Sequence, residues 1–301
     1  METRAENNTE SRTLLDWQDY RNFYPSNNGH HISGTIRVAP AFHSPQLNNA
    51  RDLLVYLPPS YHYTSRRYPV IYMHDGQNLF DNITSYAGEW GVDETMEQMS
   101  YQEGLEAIIV GIPNAGPRRM AEYNPFGASR QVAEGDHYLA FLADTIKPAI
   151  DQDFRTLPQR KTTGLMGSSM GGLISLYGFF RYSEVFGFAG VMSPSLWIAD
   201  NGIFAYVAAT PFRSGKIYMD VGTRELGEQP NGRLHRAAAS RRYYADVRRM
   251  KGVLVKKGYR PLRDLYHVEE KLAGHNESSW GRRLAPALRF LLTEALRETS
   301  G

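Results

Sequence analysis

The 301-residue sequence predicts an α/β fold: a mostly parallel central sheet, helices on both faces and an antiparallel edge at the N-terminal side. Three observations predict it. From about residue 69 onward, short apolar runs alternate with helical patterns, as parallel strands joined by crossover helices require. Upstream, Gly34-Thr35-Ile36-Arg37-Val38 and Leu53-Leu54-Val55-Tyr56-Leu57 read as antiparallel strands. Finally, Gly167-Ser168-Ser169-Met170-Gly171 fits G-x-S-x-G between a strand-like run and a helix start.

The elements follow in order. Residues 1–12 are polar and read as a disordered tail; residues 13–301 read as a single domain. His31 to Leu57 gives two or three antiparallel strands. Further strands are expected near 69–74, 106–112, 162–168, 187–193, 216–222 and 264–272. Helices are expected near 91–102, 136–152, 171–183, 235–257 and 280–297. Within 136–152, Tyr138, Phe141, Leu142, Thr145, Ile146 and Ile150 recur at helical spacing. In the long helix 235–257, Tyr243, Tyr244, Val247 and Leu254 form the expected buried stripe. The basic residues around it (Arg233, Arg236, Arg241, Arg242, Arg248, Arg249, Lys251, Lys256, Lys257) read as a solvated face. No internal repeat or low-complexity linker interrupts the pattern.

Ser169 stands at the centre of the strongest motif. A strand–helix turn this sharp strains the serine backbone, and Gly167 and Gly171 remove the Cβ atoms that would crowd it. The hydroxyl then lies beside free helix N–H groups, which favour developing negative charge. A serine nucleophile needs a base, and the base an orienting acid. In this architecture they follow as acid, then His. Glu225 comes just after the strand-like run Lys216–Gly222, and His275 comes in a loop after the last strand, beside Gly274. Asp220, Glu228 and Asp246 are rivals for the acid. The oxyanion donors should be backbone amides. Gly76 would let the turn after the 69–74 strand present the Gln77 N–H, and Met170 would supply the second. His74 precedes Ser169 and reads as a loop-shaping residue. Trp197 and Arg119 are candidate substrate contacts; Arg119 could alternatively order its loop through Glu122.

Seven segments together carry a family resemblance: 51–61, His74-Asp75-Gly76-Gln77-Asn78-Leu79-Phe80-Asp81, 119–123, 167–172, Ser193-Pro194-Ser195-Leu196-Trp197, Gly222-Thr223-Arg224-Glu225 and Gly274-His275-Asn276. The chain resembles the enterochelin-esterase/putative-esterase family of α/β-hydrolases, whose relatives include feruloyl and acetyl-xylan esterases and mycolyltransferases. The resemblance spans roughly residues 32–296. It implies Ser169, Glu225 and His275 as a triad, Gln77 and Met170 as oxyanion donors, and no cofactor. The additional basic and polar residues of the siderophore esterases find no match here.

Composition bounds the remaining possibilities. A net charge of +2 is too small to argue for nucleic acid or an anionic membrane. The absence of cysteine excludes disulfides, thiolate metal sites and a cysteine nucleophile. His30 and His31 lack further ligands at metal spacing, so no metal site is expected. The polar start has no apolar h-region, and no apolar run approaches the ~18 residues of a membrane span. The expectation is a cytoplasmic serine carboxylic-ester hydrolase acting on a small-molecule ester, with a homo-oligomer left open; the alternatives are a siderophore esterase or acyltransferase of the same family, or a binding or scaffold module on a hydrolase fold. The stretch from Ile198 to Phe212 is short and mixed in polarity, so short acyl groups are expected over long ones.

Overall fold

The computed structural model describes residues 15–127, 132–227 and 233–297. The expected tail, 1–12, lies outside them. In chain order, β1 (Gln18–Asp19) and α1 (Tyr20–Phe23) precede the hairpin β2 (Thr35–Ser44) and β3 (Asn49–Leu57). Next come β4 (Val70–His74), α2 (Val92–Glu103), β5 (Ile108–Ile112), α3 (Arg119–Glu122), α4 (Gly135–Ala140) and α5 (Lys147–Asp153). The second half is β6 (Thr163–Ser168), α6 (Met170–Arg181), β7 (Phe188–Met192), α7 (Ile198–Ala209), β8 (Lys216–Gly222), α8 (Arg233–Lys257), β9 (Leu265–Glu270) and α9 (Glu277–Arg297). Among the described residues, one sheet collects all nine strands in the order β1-β2-β3-β5-β4-β6-β7-β8-β9. The first three run antiparallel, with β3 antiparallel to β5; from β5 through β9 the neighbours are parallel.

The inner parallel strands β4, β5 and β7 are largely apolar because both of their faces are covered. β4 shows the alternation: Val70 and Tyr72 join one core with α4 to α8, while Ile71 and Met73 join the other with α2 and α9. Each such buried side chain contributes about 1.5–3 kcal/mol. The sheet's two edges are blunt. β1 has only two residues, and β9 carries Glu269 and Glu270, which face Arg248 and Arg282 at 3.3 and 3.0 Å.

Three elements depart from the sequence reading. The expected helix 136–152 is interrupted by a π-helical turn over Phe141–Ile146. Pro148, which has no N–H, opens the next helix, and the Lys147 N–H reaches back five residues to Leu142 O. Helix α7 was not anticipated. Left-handed backbone at Ala199, Asp200 and Asn201 breaks its apolar period, yet Ile203, Phe204 and Val207 are buried. On α8 the buried stripe is Tyr243, Val247, Met250 and Leu254. Tyr244 is instead partly exposed and donates its hydroxyl to Glu269. Arg241, Arg242, Arg248, Arg249 and Lys256 are exposed, while the side chains of Arg233 and Arg236 lie outside the described ones. Among the described residues, no helix is long and apolar enough to cross a membrane.

Candidate active site

Six strand ends, those of β4 to β9, converge at the C-terminal edge of the sheet, where open α/β sheets form their clefts. Ser169 sits between β6 and α6 with φ 58° and ψ −121°. The glycines around it are forced by its neighbours. A Cβ on Gly167 would lie 2.8 Å from His74 Cδ2, and one on Gly172 would lie 2.9 Å from Met192 O. The turn is tied to β7: the Ser169 N–H donates to Met192 O at 3.0 Å, and the Ser195 N–H donates to Ser169 O at 3.0 Å. Ser169 Oγ lies 3.1 Å from Ser195 Oγ.

The loops after β8 and β9 are joined through their backbones. Thr223 N–H donates to Glu270 O, Arg224 N–H to Ala273 O, and His275 N–H to Glu225 O at 3.1 Å. This pairing sets Glu225 against the imidazole, with His275 Nδ1 2.6 Å from Glu225 Oε2. The other carboxylate oxygen accepts from Ser193 Oγ at 2.7 Å and from the Gly222 N–H at 2.5 Å. An ionised carboxylate only accepts, so Nδ1 carries the hydrogen and Nε2 is left able to take a proton. Asp220 is bound instead to Arg283 Nε at 3.0 Å and to the Ser193 N–H at 3.0 Å. Burial pushes its carboxyl up to about 6, with Arg283 pulling against that rise. Asp246 lies on α8, and Glu228 falls outside the described residues.

The turn after β4 is braced from several sides. Asp75 is left-handed at φ 56°, and Arg119 grips both of its carboxylate oxygens at 2.7 Å. Arg119 therefore orders this loop through Asp75 and not through Glu122, which pairs with buried Arg51 at 2.9 Å. Asn114 donates its side-chain amide to Asp75 at 2.7 Å and its backbone N–H to Gln77 Oε1 at 3.1 Å. Gly76 packs against β5, leaving no room for a Cβ: one would fall 2.6 Å from Gly111 C and Ile112 N. His74 is fully buried beneath the elbow, bonded to the Tyr138 hydroxyl at 2.8 Å, and burial lowers its pKa to about 3. It stays neutral and is not among the residues that line the cavity described below.

Ser169, His275, Gln77 and Arg119 line a single cavity of about 740 Å³. Trp90, Trp280 and Tyr86 supply its aromatic wall, and Asn78 and Glu277 a polar rim. Burial raises the Glu277 carboxyl above its ordinary range. Met170 opens α6 directly behind Ser169, so its N–H is one of the helix's unpaired amides. Trp197, expected as a wall, is 51% exposed and does not line this cavity. Its turn is held by the inward pull of Ser195 and Leu196, both buried, which leaves the indole at the surface. Sequence reasoning missed Trp90, Trp280 and Ser193. The residues after His275 offered a signal for Trp280, which lies one helical turn into α9 and edges the His275 ring at 5.0 Å.

The sheet, its helices and the cleft at the strand ends define an α/β-hydrolase-like fold. The profile of the Esterase family, described as Putative esterase, matches residues 44–291, and the chain belongs to that family. It is 27% identical to the protein YjcH of Bacillus subtilis (strain 168) over 262 residues, 86% of this chain and 98% of that protein. The siderophore hydrolase EstA of Aspergillus nidulans superposes with a TM-score of 0.65 at 17% identity, covering 88% of this chain and 95% of EstA. A ferulic acid esterase superposes with a TM-score of 0.60 at 21% identity, covering 85% of this chain and 97% of that one. The protein is an ester-hydrolysing enzyme of this family.

Proposed function

We propose that the protein is a serine carboxylesterase in which Ser169, Glu225 and His275 act as the triad. The observation that supports this most is the 2.6 Å contact between His275 Nδ1 and Glu225 Oε2, made beside a cavity that also holds the strained Ser169. His275 Nε2 takes the Ser169 proton as Oγ attacks the ester carbonyl. The tetrahedral oxyanion is met by the Gln77 and Met170 N–H groups. The alcohol leaves with the proton from His275, giving an acyl-enzyme. Water, activated by the same imidazole, then releases the carboxylic acid. Ser169→Ala should abolish hydrolysis of p-nitrophenyl acetate by several orders of magnitude and prevent labelling by an organophosphonate, with the fold intact. Retention of activity in that variant would overturn the reading.

The cavity favours an uncharged, short-acyl ester with an aryl or sugar alcohol. Indole walls suit flat or ring-shaped groups. Among the described residues lining the cavity, the carboxylate and guanidinium side chains are Asp75, Arg119 and Glu277, and Arg119 is engaged by Asp75. That lining gives a polyanionic ferric catecholate little to pair with. Feruloyl and acetylated-sugar esters should therefore be cleaved in preference to a ferric siderophore ester. The reverse order in a substrate panel would favour the siderophore reading, which the likeness to EstA supports.

A further inference from the structure

A buried polar relay stands behind Glu225, and none of its members lines the cavity. Arg283 on α9 is 3% exposed, and all three of the contacts around its guanidinium are made at 3.0 Å. Nε donates to Asp220 Oδ2, Nη1 to Glu270 Oε2, and Nη2 to Ser193 Oγ. We infer that Arg283 is a positioning residue for the catalytic acid. It fixes the direction of the Ser193 hydroxyl, and that hydroxyl fixes Glu225 against His275. The inference rests on the triad reading above.

The argument is one of hydrogen polarity. A guanidinium has donors only, so Ser193 Oγ must accept from Nη2. Its single hydrogen is then left for Glu225 Oε1, 2.7 Å away. The Ser193 backbone is held firmly in place. It is left-handed at φ 37°, its N–H is held by both the carbonyl and the carboxylate of Asp220, and its carbonyl accepts from the Tyr243 hydroxyl at 2.6 Å. Glu225 carries one more rotatable bond than an aspartate would, in a turn after the strand. Ser193 and the Gly222 N–H hold one oxygen, which leaves the other aimed at Nδ1. Asp220 balances the buried cation, so Glu225 receives an oriented hydrogen and not a competing ion pair. This also accounts for Asp220 taking no part at His275 despite its place on β8.

A double-mutant cycle tests the relay, read on p-nitrophenyl acetate with thermal melting as the fold control. Ser193→Ala should lower kcat about tenfold or more and leave KM within about twofold. In a Glu225→Gln background the same change should cost less than about threefold, because its route to the chemistry is already cut. Arg283→Lys keeps a cation against Asp220 but cannot span three acceptors, so it should follow Ser193→Ala. If that variant does not fold, the Ser193→Ala cycle decides alone. Arg282→Ala, on the neighbouring exposed arginine, should stay within about twofold of the unaltered enzyme. Equal losses from Ser193→Ala in both backgrounds, or no loss in either, would overturn the inference while leaving the triad standing. An active Ser169→Ala variant would overturn both.

Discussion

His74 shows how a single buried ring ties the fold to pH. In the unfolded chain an imidazole binds its proton near pH 6.5, whereas in the folded protein His74 resists protonation down to about 3. Between those values the unfolded chain holds one proton more, so acid favours unfolding. The stability is therefore complete above about pH 6.5 and drains as pH falls toward 3, by roughly 1.4 kcal/mol per unit at the steepest. Urea melts between pH 7 and 4 should show this slope, and His74→Asn should flatten it; identical slopes would place the acid sensitivity elsewhere. Glu225→Gln belongs to the same scale. It removes the charge that stabilises the imidazolium, and it should lower kcat strongly with a modest change in KM. A near-normal kcat in that variant, with a crippled Asp220 or Asp246 variant, would move the acid's role. Ser169 was legible because its glycine neighbours are in sequence beside it. Arg283 was not, because it meets Ser193 ninety residues away, and only the folded chain brings them together.

Among the elements, the turn between β4 and α2 is the most tightly specified. Its close approach to β5 leaves Gly76 no space for a side chain, and the obstacle is backbone that cannot rotate away. Gly76→Ala should cost stability by about 1–3 kcal/mol and displace Gln77. We expect a lowered melting temperature together with a kcat loss larger than any KM change. A variant that melts normally and hydrolyses esters at the original rate would show that the turn tolerates the shift. The parallel strands were readable to within a few residues because burial on both faces makes them continuous apolar runs. Helix α7 was not, since three left-handed residues near its start scramble the period on which such readings depend. The π-helical turn was hidden for a related reason. Its apolar residues still recur three and four apart in sequence, so nothing in the pattern marks the amides that reach back five residues.

At the scale of the whole molecule, the cavity is walled by the rings of Trp90, Trp280 and Tyr86 beside the polar Asn78 and Glu277. Each further CH₂ of an acyl chain finding apolar cover would add only about 0.8 kcal/mol, and the polar rim limits how many can. A series of p-nitrophenyl esters should therefore peak in kcat/KM between acetyl and butyryl, without a jump above the micellar concentration. A steady rise to palmitoyl would contradict this. The sheet's blunt edges have a consequence of another kind. A protein whose parallel strands are this apolar is exposed to fibril-like stacking wherever an edge can recruit a stranger's strand. Here a newcomer to β9 meets paired carboxylates and arginines, and a newcomer to β1 finds only two residues to zip against.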